Sequence, residues 1–123
     1  MTERFGPDLL RGSLDLMVLS VLGKERAYGY QIQQQLREAS GDLVQASAGT
    51  LYPVLHRLEA AGLISSSWDE SSGRKRKWYE LTKSGKARLQ VQARQWDEYV
   101  AVIQRLLAPL GLEKLPAPSP GGM

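Results

Sequence analysis

Apolar residues recur along the first half of the chain at the spacing of a helix rather than a strand. Leu10, Leu14, Met17, Val18, Val21 and Leu22 fall on one broad face, which predicts a largely buried first helix. Asp8 is placed to cap its start at Leu9, and Gly23 to stop it. A second, narrower stripe runs through Tyr28, Ile32, Leu36 and Ala39, with Gln31, Gln33, Gln34, Gln35, Arg37 and Glu38 around it and Ser40-Gly41 closing it. Tyr28 lies on that stripe and is expected in the core; Tyr30 is open as core or contact. Leu51, Val54, Leu55 and Leu58 repeat the i, i+3, i+4, i+7 pattern of a third helix, which Gly62 ends. Its start has two readings. With Ser47 as cap, Pro53 falls past the first turn and bends the helix. With Thr50 as cap, Pro53 sits where the N–H has no partner anyway.

Beyond Gly62 the period changes. A mixed apolar-polar stretch from Leu63 to Trp68 leads into the turn-rich Asp69-Glu70-Ser71-Ser72-Gly73, and Lys77-Trp78-Tyr79-Glu80-Leu81-Thr82 then alternates. That pattern predicts a two-stranded antiparallel hairpin. Arg74, Lys75, Arg76 and Lys77 occupy its tip and returning strand. Neighbouring side chains on a strand point to opposite sides, so the four cations are not expected to meet one phosphate row. Thr82 can cap a long last helix. There Leu89, Ala93, Trp96, Val100, Ile103, Leu107 and Leu110 are spaced alternately four and three apart, a heptad seam. Pro109 and Gly111 end it near residue 108.

The organisation that follows is a flexible arm over 1–8, a DNA-binding domain over 9–82, a dimerisation helix over 83–110 and a tail over 111–123 rich in Pro and Gly. Three short helices and a hairpin are the order of a winged helix-turn-helix, a mainly α (α+β) fold. In it the third helix enters the DNA major groove and the hairpin, the wing, follows the backbone or minor groove. With its apolar residues turned inward, the third helix presents Thr50, Tyr52, Pro53, His56, Arg57 and Glu59. Ser47, Gly49 and Thr50 at its start are small and able to donate to phosphate. Tyr52, His56 and Arg57 can reach phosphates or base edges.

Charge sharpens this picture. The net is only +3, but Ser71 to Arg94 holds eight basic residues against one acid, Glu80, while the remainder is net acidic. A basic block on an otherwise acidic chain is the footprint of a polyanion partner. The length of 123 residues, with 42% hydrophobic and 24% charged residues, fits one globular domain with a modest core that a partner subunit would help. No apolar run is long enough to span a membrane, and the N-terminus lacks the pattern of a secretion signal. With no cysteine and one histidine, thiolate catalysis, disulfide scaffolds and most zinc sites are excluded, and no cofactor or metal site is expected. A reducing, cytoplasmic setting fits, and an enzyme is disfavoured.

Trp96 admits two readings. It packs in the seam, or it and its copy across a two-fold wall a flat apolar slot for a ligand.

The quoted residues carry a resemblance. Leu10-Arg11-Gly12-Ser13-Leu14-Asp15, Tyr28-Gly29-Tyr30-Gln31-Ile32, the segment Ser47 to Glu59 with Gly49-Thr50-Leu51-Tyr52-Pro53, and Gly73 to Thr82 with Gly85 are similar to the PadR family of bacterial transcriptional regulators. The short last helix resembles its compact subfamily. One departure is that Tyr28 stands where a histidine is frequent. The resemblance implies a homodimer, usually a repressor, that binds an inverted repeat in double-stranded DNA near its own or a neighbouring promoter. It implies DNA contacts at Ser47, Gly49, Thr50, Tyr52 and Arg57 and at Arg74 and Arg76, and it makes the last helix the dimer arm. Some compact members accommodate planar aromatic compounds between the arms, with a tryptophan where Trp96 stands. Two alternatives remain beside it: a winged helix used for protein–protein interaction, and a small-molecule-sensing module with secondary DNA contact.

Overall fold

The computed structural model describes residues 7–112. The order of elements is α1 (Pro7–Lys24), β1 (Ala27–Tyr28), α2 (Gly29–Ala39), α3 (Ala48–Ala60), β2 (Ile64–Asp69), β3 (Arg76–Leu81), α4 (Lys83–Leu107) and a closing 3-10 turn (Ala108–Leu110). Residues 1–6 of the expected arm and 113–123 of the expected tail lie outside the described residues.

α1 starts two residues earlier than its expected first residue, so Asp8 lies within the first turn and Pro7 opens the helix. Proline suits that position, where its missing N–H has no partner to lose. Nor does Gly23 end the helix, which runs on to Lys24. A side chain at Gly23 would stand 2.9 Å from Leu89 Cδ2; the glycine marks where α4 crosses α1.

The core joins Leu14, Val18, Leu19 and Leu22 of α1 to Ile32 and Leu36 of α2 and to Leu51, Val54, Leu55 and Leu58 of α3. Each fully buried leucine contributes about 1.5–3 kcal/mol, so the predicted face of α3 is firmly oriented. Ser47 is the cap of α3: its Oγ accepts from the Thr50 N–H at 3.3 Å. Pro53 therefore lies inside the helix, exposed, and the N–H it lacks is missing on the solvent side. At the other end Gly62, at φ 77°, lets the Leu63 N–H reach the Leu58 carbonyl at 3.0 Å and its own N–H reach that of Glu59 at 3.0 Å, a C-terminal motif that turns the chain into β2.

The sheet has three strands, not the two expected, in the order β1-β3-β2, all antiparallel. β1 is two residues long and adds to the free edge of β3, pairing Ala27 with Tyr79 and Tyr28 with Trp78. Ile64, Tyr79 and Leu81 point inward and seal the sheet onto the helices. Tyr28, expected in the core, is half-buried instead; β1 holds it on the wing side.

α4 leaves the domain through a tight junction. Thr82 Oγ1 accepts from the Gly85 N–H at 3.0 Å and donates to the Gly62 carbonyl at 2.7 Å, while the Thr82 N–H donates to the Leu63 carbonyl at 3.1 Å. Gly85 is buried directly against that Leu63 carbonyl. The expected seam then divides. Leu89 packs against the chain's own core, and Val100 and Leu107 are half-buried. Ala93, Trp96 and Ile103 face solvent, joined there by Tyr99, Leu106 and Leu110. Trp96, Tyr99, Ile103, Leu106 and Leu110 again alternate three and four apart, so the exposed heptad stripe is displaced toward Tyr99 and Leu106.

Candidate nucleic-acid interface

Burial of Leu51, Val54, Leu55 and Leu58 forces the other side of α3 outward. Ser47, Gly49, Thr50, Pro53 and His56 are exposed, and Tyr52 is 37% exposed. The hydroxyls of Ser47 and Thr50 lie 3.2 Å apart at the helix start, the Ser47 hydroxyl donating. Tyr52 does not project straight out. Its ring leans over the start of α2, where a side chain at position 29 would fall 2.9 Å from Tyr52 Cζ and onto its hydroxyl. Only glycine at 29 leaves room for that pose.

Arg57 is exposed on the outward side of α3, as expected, and has a partner there. Its Nη2 donates to Asp15 Oδ1 on α1, 42 residues away in sequence. Arg57 remains 56% exposed, and an exposed pair of this kind contributes only about 0–1 kcal/mol. Without a stronger anion nearby, the carboxylate offsets the charge of the recognition helix.

The wing is organised by its aromatic residues. Tyr28 stacks on Trp78 with ring centroids 3.7 Å apart and 25° between planes. Asp69 Oδ2 accepts from both polar tips, the Tyr28 hydroxyl at 2.8 Å and Trp78 Nε1 at 3.0 Å. Asp69 Oδ1 accepts from the Ser71 N–H at 2.9 Å, as a turn-initiating aspartate does. Hydrogen bonds from Ser71 first, then from Tyr28 and Trp78, hold the Asp69 carboxyl well below the usual carboxylate range. Burial and the neighbouring carboxylate push the Tyr28 phenol up.

The cations rest on this aromatic surface. The Arg76 guanidinium lies 5.1 Å above the Tyr28 ring and Arg26 lies 4.3 Å above Trp78. Lys75 and Lys77 lie 4.8 and 5.5 Å from the Trp68 ring. A cation held by a ring face keeps its N–H groups available for phosphate. Arg76 and Lys77 do take opposite rings, as strand alternation requires. The wing nevertheless brings Arg74, Lys75, Arg76 and Lys77 to the edge of one groove of about 660 Å³, shared with Tyr28, Gly29, Tyr30, Tyr52 and Trp68.

Tyr30, open from sequence as core or contact, is 67% exposed and its hydroxyl accepts from Gln34 Nε2 at 3.3 Å; Trp68, 59% exposed, carries no assignment from sequence. A large exposed aromatic beside a basic run is the signal that could have found Trp68. Tyr30 offers none beyond lying off the apolar stripe of α2. Among the described residues no helix is long and apolar enough to cross a membrane, and no group of three His, Asp or Glu side chains is placed to hold a metal ion.

Comparison with known proteins agrees with this geometry. Residues 18–91, more than half of the chain, match the transcriptional regulator PadR-like family. A transcriptional regulator of Mycobacterium tuberculosis is 35% identical over 88 residues, covering 72% of this chain and 79% of that protein. A crystal structure of a PadR family transcriptional regulator from Eggerthella lenta is 37% identical with a TM-score of 0.73, covering 81% of this chain and 86% of that one. The structure of a transcriptional regulator from Clostridium thermocellum superposes with a TM-score of 0.75 at 31% identity, covering 80% and 96%. The matched span takes in the recognition helix, the whole wing and the root of α4, and on that ground the chain belongs to the PadR-like family of DNA-binding transcriptional regulators.

Proposed function

We propose that the protein is a homodimeric repressor that reads an inverted repeat in double-stranded DNA, at its own or a neighbouring promoter in the cytoplasm. The observation that carries this reading is the groove that Tyr52 of α3 shares with the four wing cations, on the same helix whose start, Ser47, Gly49 and Thr50, is exposed. Ser47, Gly49, Thr50, Tyr52, Pro53 and His56 enter the major groove, and Arg57 exchanges Asp15 for phosphate. Arg74, Lys75, Arg76 and Lys77 follow the backbone. The dimer forms through the apolar stripe of α4, and the two recognition helices sit roughly 34–36 Å apart, one turn of DNA.

Selection from a random duplex pool, followed by salt titration on the selected site, tests this. Replacing Arg74 and Arg76 together by alanine is expected to weaken binding to all sequences. The salt slope should fall by about one for each phosphate that the variant no longer neutralises. Unchanged affinity and slope would remove the wing from the mechanism. Selection of no sequence would overturn the reading as a whole.

A second element concerns an effector. Trp96 borders an apolar recess of about 380 Å³ with Leu16, Met17 and Val21 of α1 and Leu36 of α2, within the range of small-molecule sites. A planar aromatic compound lodged in this recess, between α4 and the α1–α2 pair of one protomer, would change the set of the arm and shift the dimer away from or toward the DNA-ready spacing. Trp96→Ala should abolish binding of a planar aromatic dye, followed by dye fluorescence, and leave a dimer. Retained dye binding would exclude Trp96 as the wall of the site.

A further inference from the structure

We propose that the Tyr28-Gly29 dipeptide is the positioning element that holds the wing and the recognition helix at one fixed separation, so that discrimination between DNA sequences depends on it. The proposal rests on the DNA-reading function and adds a residue-level cause for its selectivity.

Each half of the dipeptide docks one DNA-facing element. Tyr28 stacks on Trp78 of β3 at 3.7 Å and donates its hydroxyl to Asp69 at the end of β2 at 2.8 Å. The same carboxylate accepts from the Ser71 N–H at 2.9 Å, which shapes the turn leading to Arg74. From Tyr28 to the wing tip the connection is therefore continuous. Gly29, the next residue, receives the ring of Tyr52 from α3, in a space that a β-carbon would fill. The two docks are one peptide apart, about 3.8 Å between Cα atoms.

That peptide is itself held. The Tyr28 N–H donates to Gln31 Oε1 at 2.9 Å, and α2 begins at Gly29. A two-stranded hairpin alone is marginal in water, and β1 adds only two residues of pairing to it. Ile64, Tyr79 and Leu81 fix the base of the hairpin to the core; beyond Tyr79, toward the tip, the contacts of Tyr28 with Trp78 and Asp69 tie the wing to α2. Phosphate contacts fix register and base contacts read sequence, so an operator must satisfy the wing and α3 together. Random DNA can be held by the cations alone. Loosening the link should cost affinity for the operator far more than affinity for random duplex.

The test uses the full-length protein with an operator selected from a random pool, and thermal melting to establish that each variant is folded. Tyr28→Ala is expected to lower operator affinity on the order of tenfold, comparable to one mismatched base pair, and random-duplex affinity, through the loss of the ring under Arg76, by a smaller factor, so that the operator-to-random ratio falls. Adding Arg74→Ala and Arg76→Ala to it should weaken binding no further than those two substitutions do alone, because the wing is then already disengaged. Tyr28→Phe, which keeps the stacked ring, should retain most of the discrimination; a purely structural role would not make selectivity follow the ring. Gly29→Ala displaces Tyr52 and leaves the wing dock intact. It should reduce the operator-to-random ratio without changing the salt slope, and it carries the test if Tyr28→Ala does not fold. A wild-type ratio in folded Tyr28→Ala or in Gly29→Ala overturns the proposal, as do affinity losses that multiply with those of the wing substitutions. A wild-type protein that selects no sequence overturns the DNA-reading function, and this inference with it.

Discussion

Gly85→Ala is expected to lower the melting temperature by roughly 10–20 °C, the equivalent of about 3 kcal/mol for a domain of this size. Position 85 lies in the first turn of α4, where alanine would ordinarily gain up to about 1 kcal/mol over glycine from helix propensity. Here that gain is overwhelmed. An added β-carbon falls onto the Leu63 carbonyl oxygen and stands 3.0 Å from its carbon, with Leu81 Cδ2 at 3.2 Å. The obstacle is backbone, already committed to the Thr82 N–H, so no rotamer change relieves it. Either α4 tilts or the α3–β2 junction opens. Operator binding should fall as well, since this junction sets the direction of the arm. Gly12→Ala is the control, because nothing lies within 4 Å of a β-carbon there; it should melt at or above the wild-type temperature. Circular dichroism melts of both variants decide the matter. An unshifted Gly85→Ala melt would mean that the close approach carries no weight.

Ile103→Asp is expected to convert the protein to a monomer and to weaken operator binding roughly 100-fold or more, the advantage of tethering one half-site reader to another. Ile103 is 38% exposed, in the middle of a solvent-facing stripe with Trp96, Tyr99, Leu106 and Leu110. A stripe of this length on a small domain is covered in a stable protein, most simply by the same stripe of a second copy. A carboxylate placed there must be desolvated or must prevent closure, and it costs more than the absent methyl groups contributed. Sedimentation velocity at micromolar protein gives the answer directly. A dimer with full operator affinity would exclude this stripe as the interface. Leu89 does not offer the same test. It packs into its own chain's core, and its removal would destabilise the monomer first.

These two predictions draw on different kinds of information. The apolar stripe behind Ile103 is written in the spacing of residues along one helix. The collision behind Gly85 involves Leu63, 22 residues earlier, and no local pattern announces it. The same division runs through the fold. Periodicity at 3.6 placed the buried face of α3 and, at Ile32 and Leu36, the middle of that of α2, because a helix in contact with a core must repeat its apolar residues at that interval; Ala39 on the same stripe is exposed. Side-chain chemistry likewise marked Thr82 as a cap and Ser47 as one of two candidates, because a hydroxyl just before a helix can satisfy an orphan N–H wherever it occurs; the structure chose Ser47 over Thr50. The change to period two, with turn residues between, placed the wing. The block Arg74 to Lys77 marked its charge.

Residue order along the chain thus set which local conformations are stable and which faces must be covered. Docking of the elements decided which distant groups cover them. β1, at two residues, is too short to carry any period and exists because β3 offers it an edge. Tyr28 sits on a helical stripe by spacing, yet Trp78 and Asp69, 50 and 41 residues away in sequence, draw it to the wing. Arg57 looks free on its own helix until α1 brings Asp15 beside it. Leu89 shares the heptad spacing of the arm but is taken by the core where α4 crosses Gly23. In each case the deciding contact, strand pairing for β1 and side-chain contact for the others, spans a long separation in sequence. Such a contact depends on how elements dock, and the residues on one element do not encode that docking.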